Sequence, residues 1–323
     1  MSDRIRLPTN ESISTQQMAE AIKRSGYLLE QRAATQLREA KYKVVTNRRF
    51  IDQETYKSRE YDVYAYKEIA LYKTDSHSIF PTLVCECKNI AQPIAFLIDE
   101  PFSFEPLIDE VMVSGMPAKI YKNGKYISLQ EYVNIKSFHH YCKPVAPVAT
   151  QCCTFTKKKD ESTWAANYSE ILYETYRTLV KALEYEIEED FKNMSQWLSV
   201  DEIEKEFMDL SFYYPVMIFQ GDIYTYTENS SDPLKPCMHV QYNPEFISFH
   251  SNSLISYHID VIAEQYLPDY LKIINQEMNT LKEKLRQQKN ELGLSVSKII
   301  KECTGLKQRP NPYRPYLEFD SDM

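Results

Sequence analysis

Residues 82 to 88 read Thr-Leu-Val-Cys-Glu-Cys-Lys, an apolar run that closes with an acid and a base. A short run of this kind, bounded by turn residues, predicts a buried β-strand. Because side chains alternate across a strand, Glu86 and Lys88 should project to one side and Cys87 to the other. A carboxylate and an ammonium group at the end of a buried strand are costly unless they bind each other or a ligand. The segment therefore predicts a core strand with a functional site, and a simple ion pair of Lys88 with Glu86 or with Asp62 is the alternative.

A β-hairpin is predicted to lead into this strand. Residues 59 to 73 are rich in Tyr, Val and Ile, as strands are, and residues 74 to 81 carry turn-forming residues and a proline. If the two strands pair antiparallel about the start of this turn, Asp62 faces Glu86. A turn centred further along would move the partner of Asp62 toward Gln92.

Asp62 and Glu86 would then form a pair of facing acids. Facing side chains of such a pair lie about 5 Å apart at Cβ, and two carboxylates this close repel each other unless a cation lies between them. A hard divalent ion with oxygen ligands suits this position, and Mg²⁺ is the usual ion where phosphates are processed. Glu60, on the same strand face as Asp62, is a spare acid. The paired acids therefore predict a magnesium site.

A third acid, Glu30, belongs to a segment that is predicted to be helical from about residue 13 to residue 40, with a break at Gly26. Leu29 and Ala33 begin an apolar stripe at helical spacing. Glu30 lies beside that stripe, so its side chain is expected at the edge of the core. A solvated surface glutamate is the alternative.

Taken in order, a Glu in an N-terminal helix, an Asp at the start of a strand and Glu-x-Lys closing an apolar strand resemble the motif of the PD-(D/E)XK nuclease superfamily. The resemblance covers about residues 13 to 90. Tyr61 stands where the name-giving Pro of the family would be, and the spacing of 24 residues from the Asp to the Glu implies a long hairpin. The matching positions are Glu30, Asp62, Glu86 and Lys88, within Ser-Gly-Tyr-Leu-Leu-Glu, Arg-Glu-Tyr-Asp-Val and Val-Cys-Glu-Cys-Lys.

The resemblance implies a restriction-endonuclease-like fold, which is an α/β fold with a mixed central β-sheet flanked by helices, and Mg²⁺-dependent hydrolysis of phosphodiesters. Asp62 and Glu86 would hold one or two Mg²⁺ ions, for which Mn²⁺ can substitute. The backbone carbonyl of Cys87 would be a further ligand. Lys88 would orient the attacking water or stabilise developing charge. Glu30 would bind a second metal or a metal-bound water.

We interpret the chain as one α/β domain that carries an insertion. Within the insertion, Lys-Asn-Gly-Lys at 122–125 predicts a hairpin turn. Four parts are expected: the N-terminal half of the nuclease core at 1–90, the insertion at 91–148, the remainder of the core sheet with a long helix at 149–265, and a C-terminal helix and tail at 266–323.

Periodicity and turn residues predict the later elements. A long helix is expected from Trp164 to about Lys192, and a shorter helix is expected after a cap at 199–202. Strands are expected at 149–155, at 213–226 with a break at 220–222, at 238–249 and at 257–262.

The last predicted helix extends from about Leu267 to Gly293. Its apolar residues approximate a heptad seam, which is the pattern of helices that pair along their length. A homodimer seam is one interpretation, and packing back on the body of the same chain is the other, because three heptads do not decide between them. The seam consists of Ile274, Met278, Leu281, Leu285 and Leu292.

The charge distribution bears on a nucleic-acid partner. The chain of 323 residues has a net charge of −8, yet its first 60 residues hold 12 Lys/Arg against 8 Asp/Glu. A basic rim around an acidic centre would contact the phosphates of nucleic acid, with DNA favoured. A merely solvated surface explains the same residues equally well. The basic residues near the predicted site are Arg24, Arg32, Lys41, Lys43, Arg48, Arg49, Lys57 and Arg59.

Composition argues against several classes of protein. The sequence lacks the run of about 18 apolar residues that a membrane-spanning helix needs. Its start lacks the apolar core of a secretory signal. The seven cysteines, an odd number without regular spacing, predict reduced thiols. We therefore expect a cytoplasmic protein with no membrane partner. Phosphate-cradling loops, nucleophile elbows and dinucleotide fingerprints are missing from the sequence.

The histidines carry less weight in this prediction. The pair His139–His140 and the cysteines near it match no common zinc pattern, so ordinary core residues are favoured. His258 and Asp260 share a strand face, and a structural role is expected for them.

The sequence thus predicts a Mg²⁺-dependent endonuclease that hydrolyses DNA, and the resemblance implies a role in bacterial restriction or anti-phage defence. Two alternatives stay open. One is a catalytically silent subunit of nuclease fold that binds nucleic acid or acts as a scaffold, working with an activating protein partner. The other is a nuclease directed at RNA, since the metal and phosphate chemistry is shared.

Overall fold

The structure is a computed structural model. It describes residues 12–72, 77–90, 92–98, 111–117, 119–157, 163–168, 170–197, 208–228, 230–248 and 254–304. The centre of the predicted hairpin turn, the predicted cap at 199–202 and the tail after residue 304 lie outside the described residues.

The chain combines helices with many short strands. Its helices are α1 (Thr15–Arg24), α2 (Tyr27–Glu39), α3 (Leu129–Tyr132), α4 (Glu170–Trp197), α5 (Leu267–Gln287) and α6 (Lys289–Thr304). Its strands are β1 (Lys43–Asp52), β2 (Lys57–Tyr66), β3 (Ile69–Ala70), β4 (His77–Asn89), β5 (Ile94–Ile98), β6 (Val113–Met116), β7 (Lys119–Lys122), β8 (Lys125–Ser128), β9 (Val148–Lys157), β10 (Trp164–Asn167), β11 (Met208–Gln220), β12 (Ile223–Tyr226), β13 (Leu234–Cys237), β14 (His239–Tyr242), β15 (Glu245–Ile247), β16 (Leu254–Ser256) and β17 (Ile259–Ala263).

A large mixed β-sheet forms the centre of the fold, with the strand order β1-β2-β4-β11-β17-β14-β9-β5-β12-β13. Strands β1, β2 and β4 pair antiparallel, while β11 pairs parallel with both β4 and β17. The predicted α/β class, with a mixed central sheet flanked by helices, is confirmed.

Helices cover the sheet from both sides. On one side the apolar face of α2, with Leu29 and Leu37, joins α5 in a core over β4 and β11. On the other side Leu179 and Leu183 of α4 pack on the reverse face. Burial on both faces explains why β4 and β11 read as continuous apolar runs.

The N-terminal segment bends where the sequence predicts it. Helix α1 begins after a capping box in which Ser14 and Gln17 satisfy each other's backbone amides. The helix ends before Ser25, and α2 starts after Gly26. The predicted break is therefore confirmed, and the second helix presents its apolar stripe to the sheet.

The paired strands β4 and β11 are each followed in the chain by a strand of the far half of the sheet, and these two following strands also pair with each other. Strand β4 leads into β5, and the adjacent β11 leads into β12, which pairs parallel with β5. Gly221 stands at the β11–β12 junction with φ of +156°, and a Cβ there would lie 2.9 Å from the carbonyl oxygen of Ile90. The two connections can approach this closely because position 221 is glycine. The predicted strand at 213–226 with its break at 220–222 is thus confirmed, although β11 begins earlier.

The predicted long helix starts later than expected. Residues 164–167 form strand β10, in which Trp164 pairs with Lys157 and Asn167 with Thr154 of β9. The prediction of helix over these residues is wrong because antiparallel pairing with the preceding strand β9 outweighs helical periodicity. The helix itself begins at Glu170 and reaches Trp197.

The region from 91 to 148 contributes to the central sheet as well as forming local structure. Strand β5 pairs with β9, and β6 pairs with β11. The predicted hairpin at 122–125 is confirmed: β7 and β8 are joined through Asn123 and Gly124, which have φ of +52° and +84°. Positive φ at both central residues is the signature of a type I′ turn.

The predicted C-terminal helix is two helices. The first, α5, ends at Gln287, and α6 begins at Lys289. The predicted seam, including Ile274, Met278 and Leu281, lies inside the core of the same chain. Packing back on the body is therefore confirmed, and these residues are not available as a seam for a homodimer.

The remaining predictions are refined by the structure. The strand expected at 238–249 is interrupted, because Pro244 separates β14 from β15 and cannot donate a backbone hydrogen bond. The cysteine side chains that the structure describes lie outside disulfide bonds, in agreement with the predicted reduced thiols. Among the described residues, no helix has the length and apolarity needed to cross a membrane.

Candidate metal-binding site

The register of the β2–β4 hairpin brings the predicted acids together. Val63 pairs with Cys85, and Tyr64 pairs with Val84. One further step in this register places Asp62 opposite Glu86. The predicted register with the turn centred near its start is therefore confirmed, and the shifted register toward Gln92 is wrong.

The pairing of β2 with β4 ends beyond Val63 and Cys85. We call this point, where Asp62 and Glu86 face each other, the fork, and the side chain of Asp62 links the two strands there. The backbone N–H of Cys87 donates a hydrogen bond of 2.6 Å to Oδ2 of Asp62. On the other side of Asp62, Asn47 of β1 interrupts the regular pairing with φ of +53°. The carboxylate of Asp62 thus replaces a backbone acceptor where the ladder ends, which holds the strand that carries Glu86.

Glu86 and Lys88 contact each other across one residue. Nζ of Lys88 lies 2.9 Å from Oε2 of Glu86, so the two side chains project to the same side as predicted. The Glu86 side chain is buried, whereas that of Lys88 retains 27% of its exposure. The side chain of Lys88 is therefore partly open to solvent, while that of Glu86 is not.

Burial dominates the electrostatics of this site. Burial and repulsion from Asp62 raise the pKa of Glu86 to about 7, although Lys88 lies beside it. Burial also raises the pKa of Asp62, and the hydrogen bond from Cys87 and the charge of Lys88 offset this only in part. Burial alone would lower the pKa of Lys88, but Glu86 and Asp62 raise it. With both acids ionised, one ammonium faces two carboxylates, and the site has surplus negative charge.

Glu30 belongs to the same electrostatic neighbourhood. It lies in the first turn of α2, half-buried, and burial followed by repulsion from Asp62 raises its pKa, while Lys88 lowers it. Glu60 also repels both Glu30 and Asp62. The structure thus brings the acids of the predicted motif near one another and near Lys88. However, the carboxylate oxygens of Glu30, Asp62 and Glu86 do not all lie within 4.8 Å of one another. Among the described residues, a different cluster has its ligand atoms this close.

The backbone of Cys87 faces the same fork. A strand residue directs its N–H and its C=O toward the same neighbouring strand. Since the N–H of Cys87 points to Asp62, its carbonyl is directed to that side too. Carboxylate and carbonyl oxygens are the ligands that Mg²⁺ prefers. The donor set at the fork therefore suits a hard divalent ion.

Three of the basic residues assigned to the predicted rim form ion pairs with acids of the same chain. Arg32 pairs with Glu264, and Arg48 pairs with the buried Glu186 at 2.7 Å. Arg59 lies 2.6 Å from Asp52. The first two pairs join α2 and β1 to neighbouring elements, and the third joins the two strands of the β1–β2 hairpin. The positive charges of these three residues are thus balanced by acids of the same chain, which weakens the predicted basic rim at these positions.

A second polar cluster, which the sequence did not predict, lies in the core between the sheet and α5. His140 contacts Glu277 through Nδ1 at 2.6 Å and Asp260 through Nε2 at 3.0 Å. Burial would lower the pKa of His140, but the two carboxylates raise it to about 10. His140 is therefore a buried imidazolium held between two acids. Tyr141 and Tyr270 also donate to Asp260, at 2.9 Å and 2.6 Å.

This cluster also contains a potential metal-ligand group. Ligand atoms of His139, His140 and Glu277 lie within 4.8 Å of one another. The hydrogen bonds of the two histidines indicate that their ring nitrogens are engaged with protons and not with a metal ion. Both ring nitrogens of His140 contact carboxylates, and the backbone N–H of Tyr141 donates to Nδ1 of His139, which leaves the hydrogen of neutral His139 on Nε2. Asp260, for which a structural role is expected, thus accepts hydrogen bonds from His140, Tyr141 and Tyr270 in the core.

Comparison with protein-family models, curated proteins and solved structures finds no match to this chain. The membership in a nuclease superfamily and the chemistry of the fork are therefore matters for proposal and experiment.

Proposed function

We propose that this protein is a Mg²⁺-dependent nuclease that hydrolyses the phosphodiester bonds of DNA, with its active site at the fork between β2 and β4. The observation that carries the proposal is the buried pair Asp62 and Glu86, which a single ammonium from Lys88 leaves with surplus negative charge. A divalent cation would relieve this charge, and phosphodiester hydrolysis is among the reactions that a bound divalent cation catalyses.

The surrounding fold supports this proposal. Helix α2 precedes the hairpin that carries the acids, and β4 lies inside a mixed sheet with helices on both sides. This arrangement agrees with a restriction-endonuclease-like core. Glu86 and Lys88 also lie near the carboxyl ends of the parallel strands β4 and β11, where ligands of open α/β sheets bind.

Each residue of the fork has a distinct task in the proposed reaction. Asp62, Glu86 and the carbonyl of Cys87 would hold Mg²⁺, which when bound lowers the pKa of its water and polarises the phosphoryl oxygen. Lys88, released from full pairing with Glu86, would donate to the negatively charged phosphoryl oxygens. Glu30 would accept a hydrogen bond from the attacking water and orient it. The buried position of Glu86 restricts bulk water around the reacting atoms.

The direct test is cleavage of plasmid DNA and of a structured RNA with Mg²⁺, Mn²⁺ or EDTA. Wild type should cut DNA with either metal and not with EDTA. Asp62→Asn and Lys88→Met should each lower the rate by about 100-fold or more, since each removes one charge at the reacting centre. Asp209→Asn is the matched control. Its carboxyl group also has a raised pKa, of about 6, but it lies at the opposite end of the strand next to β4.

A catalytically silent subunit that binds nucleic acid or serves as a scaffold is the second candidate. Two observations favour it: Glu86 already has an ion-pair partner in Lys88, and the three acids do not gather their oxygens around one point. Binding of DNA that persists in EDTA and in Asp62→Asn, without cutting by any variant, would select this candidate over the nuclease. Preferential cutting of the RNA would instead select an RNA-directed enzyme.

A further inference from the structure

The β1–β2 hairpin continues past the fork as a two-stranded arm, residues 48–61. Strand β2 pairs with β4 between Val63 and Tyr66, whereas its pairing with β1 extends to the end of the hairpin at Asp52 and Lys57. An isolated two-stranded hairpin is marginally stable in water. The arm therefore needs contacts outside the sheet to keep one position.

Polar contacts hold one face of the arm on α4. The guanidinium of Arg48 donates to both carboxylate oxygens of Glu186, at 2.7 and 2.8 Å. Nζ of Lys181 lies 3.0 Å from the carboxylate of Asp52 and 2.9 Å from that of Glu54. These contacts fix the arm relative to the fork, which lowers the entropic cost of binding a ligand on its other face. We call this other face the free face.

Strand β1 exchanges its two faces where it passes the fork. Val44 packs against the core under α2, whereas Phe50 belongs to the core under α4. Residues that are an even number apart share one face of a regular strand, so the faces are exchanged between these two residues. Asn47, whose φ of +53° departs from the extended conformation, lies at this exchange.

Strand β2 makes the same exchange at Asp62. Tyr61 belongs to the core under α4 and Val63 to the core under α2, although they are only two residues apart. Between them, the side chain of Asp62 reaches sideways to the backbone N–H of Cys87. The free face of the arm therefore starts at the fork itself.

Arg49 projects from the free face. Its neighbours Arg48 and Phe50 contact α4, so alternation directs Arg49 to the other side. Arg49 is exposed and has no ion-pair partner among the described residues. It pairs in register with Glu60, whose charge repels Asp62. Arg49 is two residues along and one strand across from Asp62, which separates their Cα atoms by roughly 8 Å.

We propose that the free face of the arm binds the backbone of a DNA strand that lies across the fork, and that the guanidinium of Arg49 binds a phosphate one or two nucleotides from the fork. The choice of DNA rests on the proposed nuclease function. Phosphates of one strand follow one another about every 3.4 Å along the axis of helical DNA, so a neighbouring phosphate comes within reach of Arg49. A guanidinium binds two phosphate oxygens at once.

The charges of the chain favour nucleic acid over a protein as this ligand. The net charge is −8, and a chain of this charge holds a polyanion only through local cations. Arg32, Arg48 and Arg59 are balanced by acids of the same chain, whereas Arg49 forms no ion pair among the described residues. The centre of a protein–protein interface is depleted of charge, and the free face instead carries Arg49 and Glu60 in register.

Binding of a fluorescent DNA duplex to the full chain in EDTA, followed by anisotropy between about 50 and 200 mM salt, tests the proposal. Arg49→Met should weaken binding about 10-fold and reduce the slope of log affinity against log salt by about 1, because one phosphate contact is lost. Arg49→Lys should keep the slope and lose part of the affinity, because lysine keeps the charge without the planar fork of donors.

Arg38→Met is the matched control. Arg38 is an exposed arginine in the last turn of α2, whereas Glu30 lies in the first turn. This variant should bind DNA as wild type does. Where wild type cuts DNA with Mg²⁺, Arg49→Met should raise KM about 10-fold and leave kcat nearly unchanged, because its contact is made equally before and during the reaction. An unchanged urea midpoint establishes that each variant is folded.

Three results would overturn the proposal. The first is a wild-type chain that does not bind DNA. The second is an Arg49→Met variant with the affinity and salt dependence of wild type, whether or not the protein cuts DNA. The third is a preference for RNA that is lost in Arg49→Met, which would assign the arm to RNA. Failure of the nuclease function gives a different result: binding that depends on Arg49 in EDTA, without cutting by wild type in Mg²⁺ or Mn²⁺, supports the arm and refutes the nuclease.

Discussion

Replacing Glu86 by Gln should make the metal-free protein more stable at pH 8. Glu86 is buried, and its pKa rises from 4.5 to about 7 on folding. Each pKa unit corresponds to about 1.4 kcal/mol, so ionised Glu86 costs the folded protein about 3 kcal/mol. Gln has the same shape without the charge, but it attracts the ammonium of Lys88 less. We expect a net gain of about 1 to 3 kcal/mol in the free energy of unfolding.

The pH dependence of this effect follows from the direction of the shift. An acid whose pKa is raised by folding binds its proton more tightly in the folded state, so wild type loses stability as pH rises from about 4.5 to 7. The gain from Glu86→Gln should therefore be large at pH 8 and fall below about 0.5 kcal/mol near pH 4.5. Urea unfolding in EDTA at the two pH values measures both quantities.

Added Mg²⁺ provides the second half of the experiment. At ten times its dissociation constant, Mg²⁺ should stabilise wild type by about 1.4 kcal/mol and leave Glu86→Gln unchanged. A variant that loses the same stability at pH 4.5 and at pH 8 would refute the reasoning. Glu86 would then be a structural partner of Lys88, and the surplus charge at the fork would not exist.

Three further predictions use the same urea assay. His140→Ala should cost about 3 to 5 kcal/mol, because two buried carboxylates lose their shared cation; a loss below about 1 kcal/mol would contradict a charged cluster. Because the pKa of His140 is raised to about 10, wild-type stability should fall from about pH 7 to pH 10, and this slope should vanish in His140→Ala. Arg48→Met should cost about 2 to 4 kcal/mol by stranding buried Glu186, whereas Arg49→Met on the exposed surface should change stability by less than about 0.5 kcal/mol; equal effects would argue against the buried pair. Gly221→Ala should cost about 1 to 3 kcal/mol because its Cβ meets a backbone oxygen at 2.9 Å, and an unchanged midpoint would show that the junction can relax.

Local rules were sufficient to predict the hairpin and the side of the strand on which the site lies. Alternation alone predicts that Glu86 and Lys88 share a side, and the contact between them confirms it. The register stayed open to a few residues, because it depends on where the turn between β2 and β4 is centred. Glu30 was predictable as a neighbour of the core because the helical stripe beside it is strong.

The buried cluster around His140 could not be predicted in this way. Its partners come from β17 and α5, and His140 and Glu277 are separated by 137 residues, so no local pattern joins them. One signal was present in the sequence: Glu277 lies next to Met278 of the apolar seam, and a charged residue beside a buried seam needs a partner. The strand at 164–167 was missed for a related reason, because its pairing with β9 is set by the fold and not by its own periodicity.

The hydrogen bond from Cys87 to Asp62 changes how mutants of this site must be read. Removing the carboxylate by Asp62→Ala would also strip the backbone amide of Cys87 of its acceptor, so that the end of β4 would be held on the β11 side and no longer by Asp62. An inactive alanine variant would then report a displaced Glu86 as readily as a lost ligand. Asp62→Asn keeps an oxygen for that amide, so comparing the two substitutions separates the scaffolding task of this side chain from its chemistry. A solvent-exchange measurement on the single amide of Cys87 would reveal which of the two tasks each variant has lost.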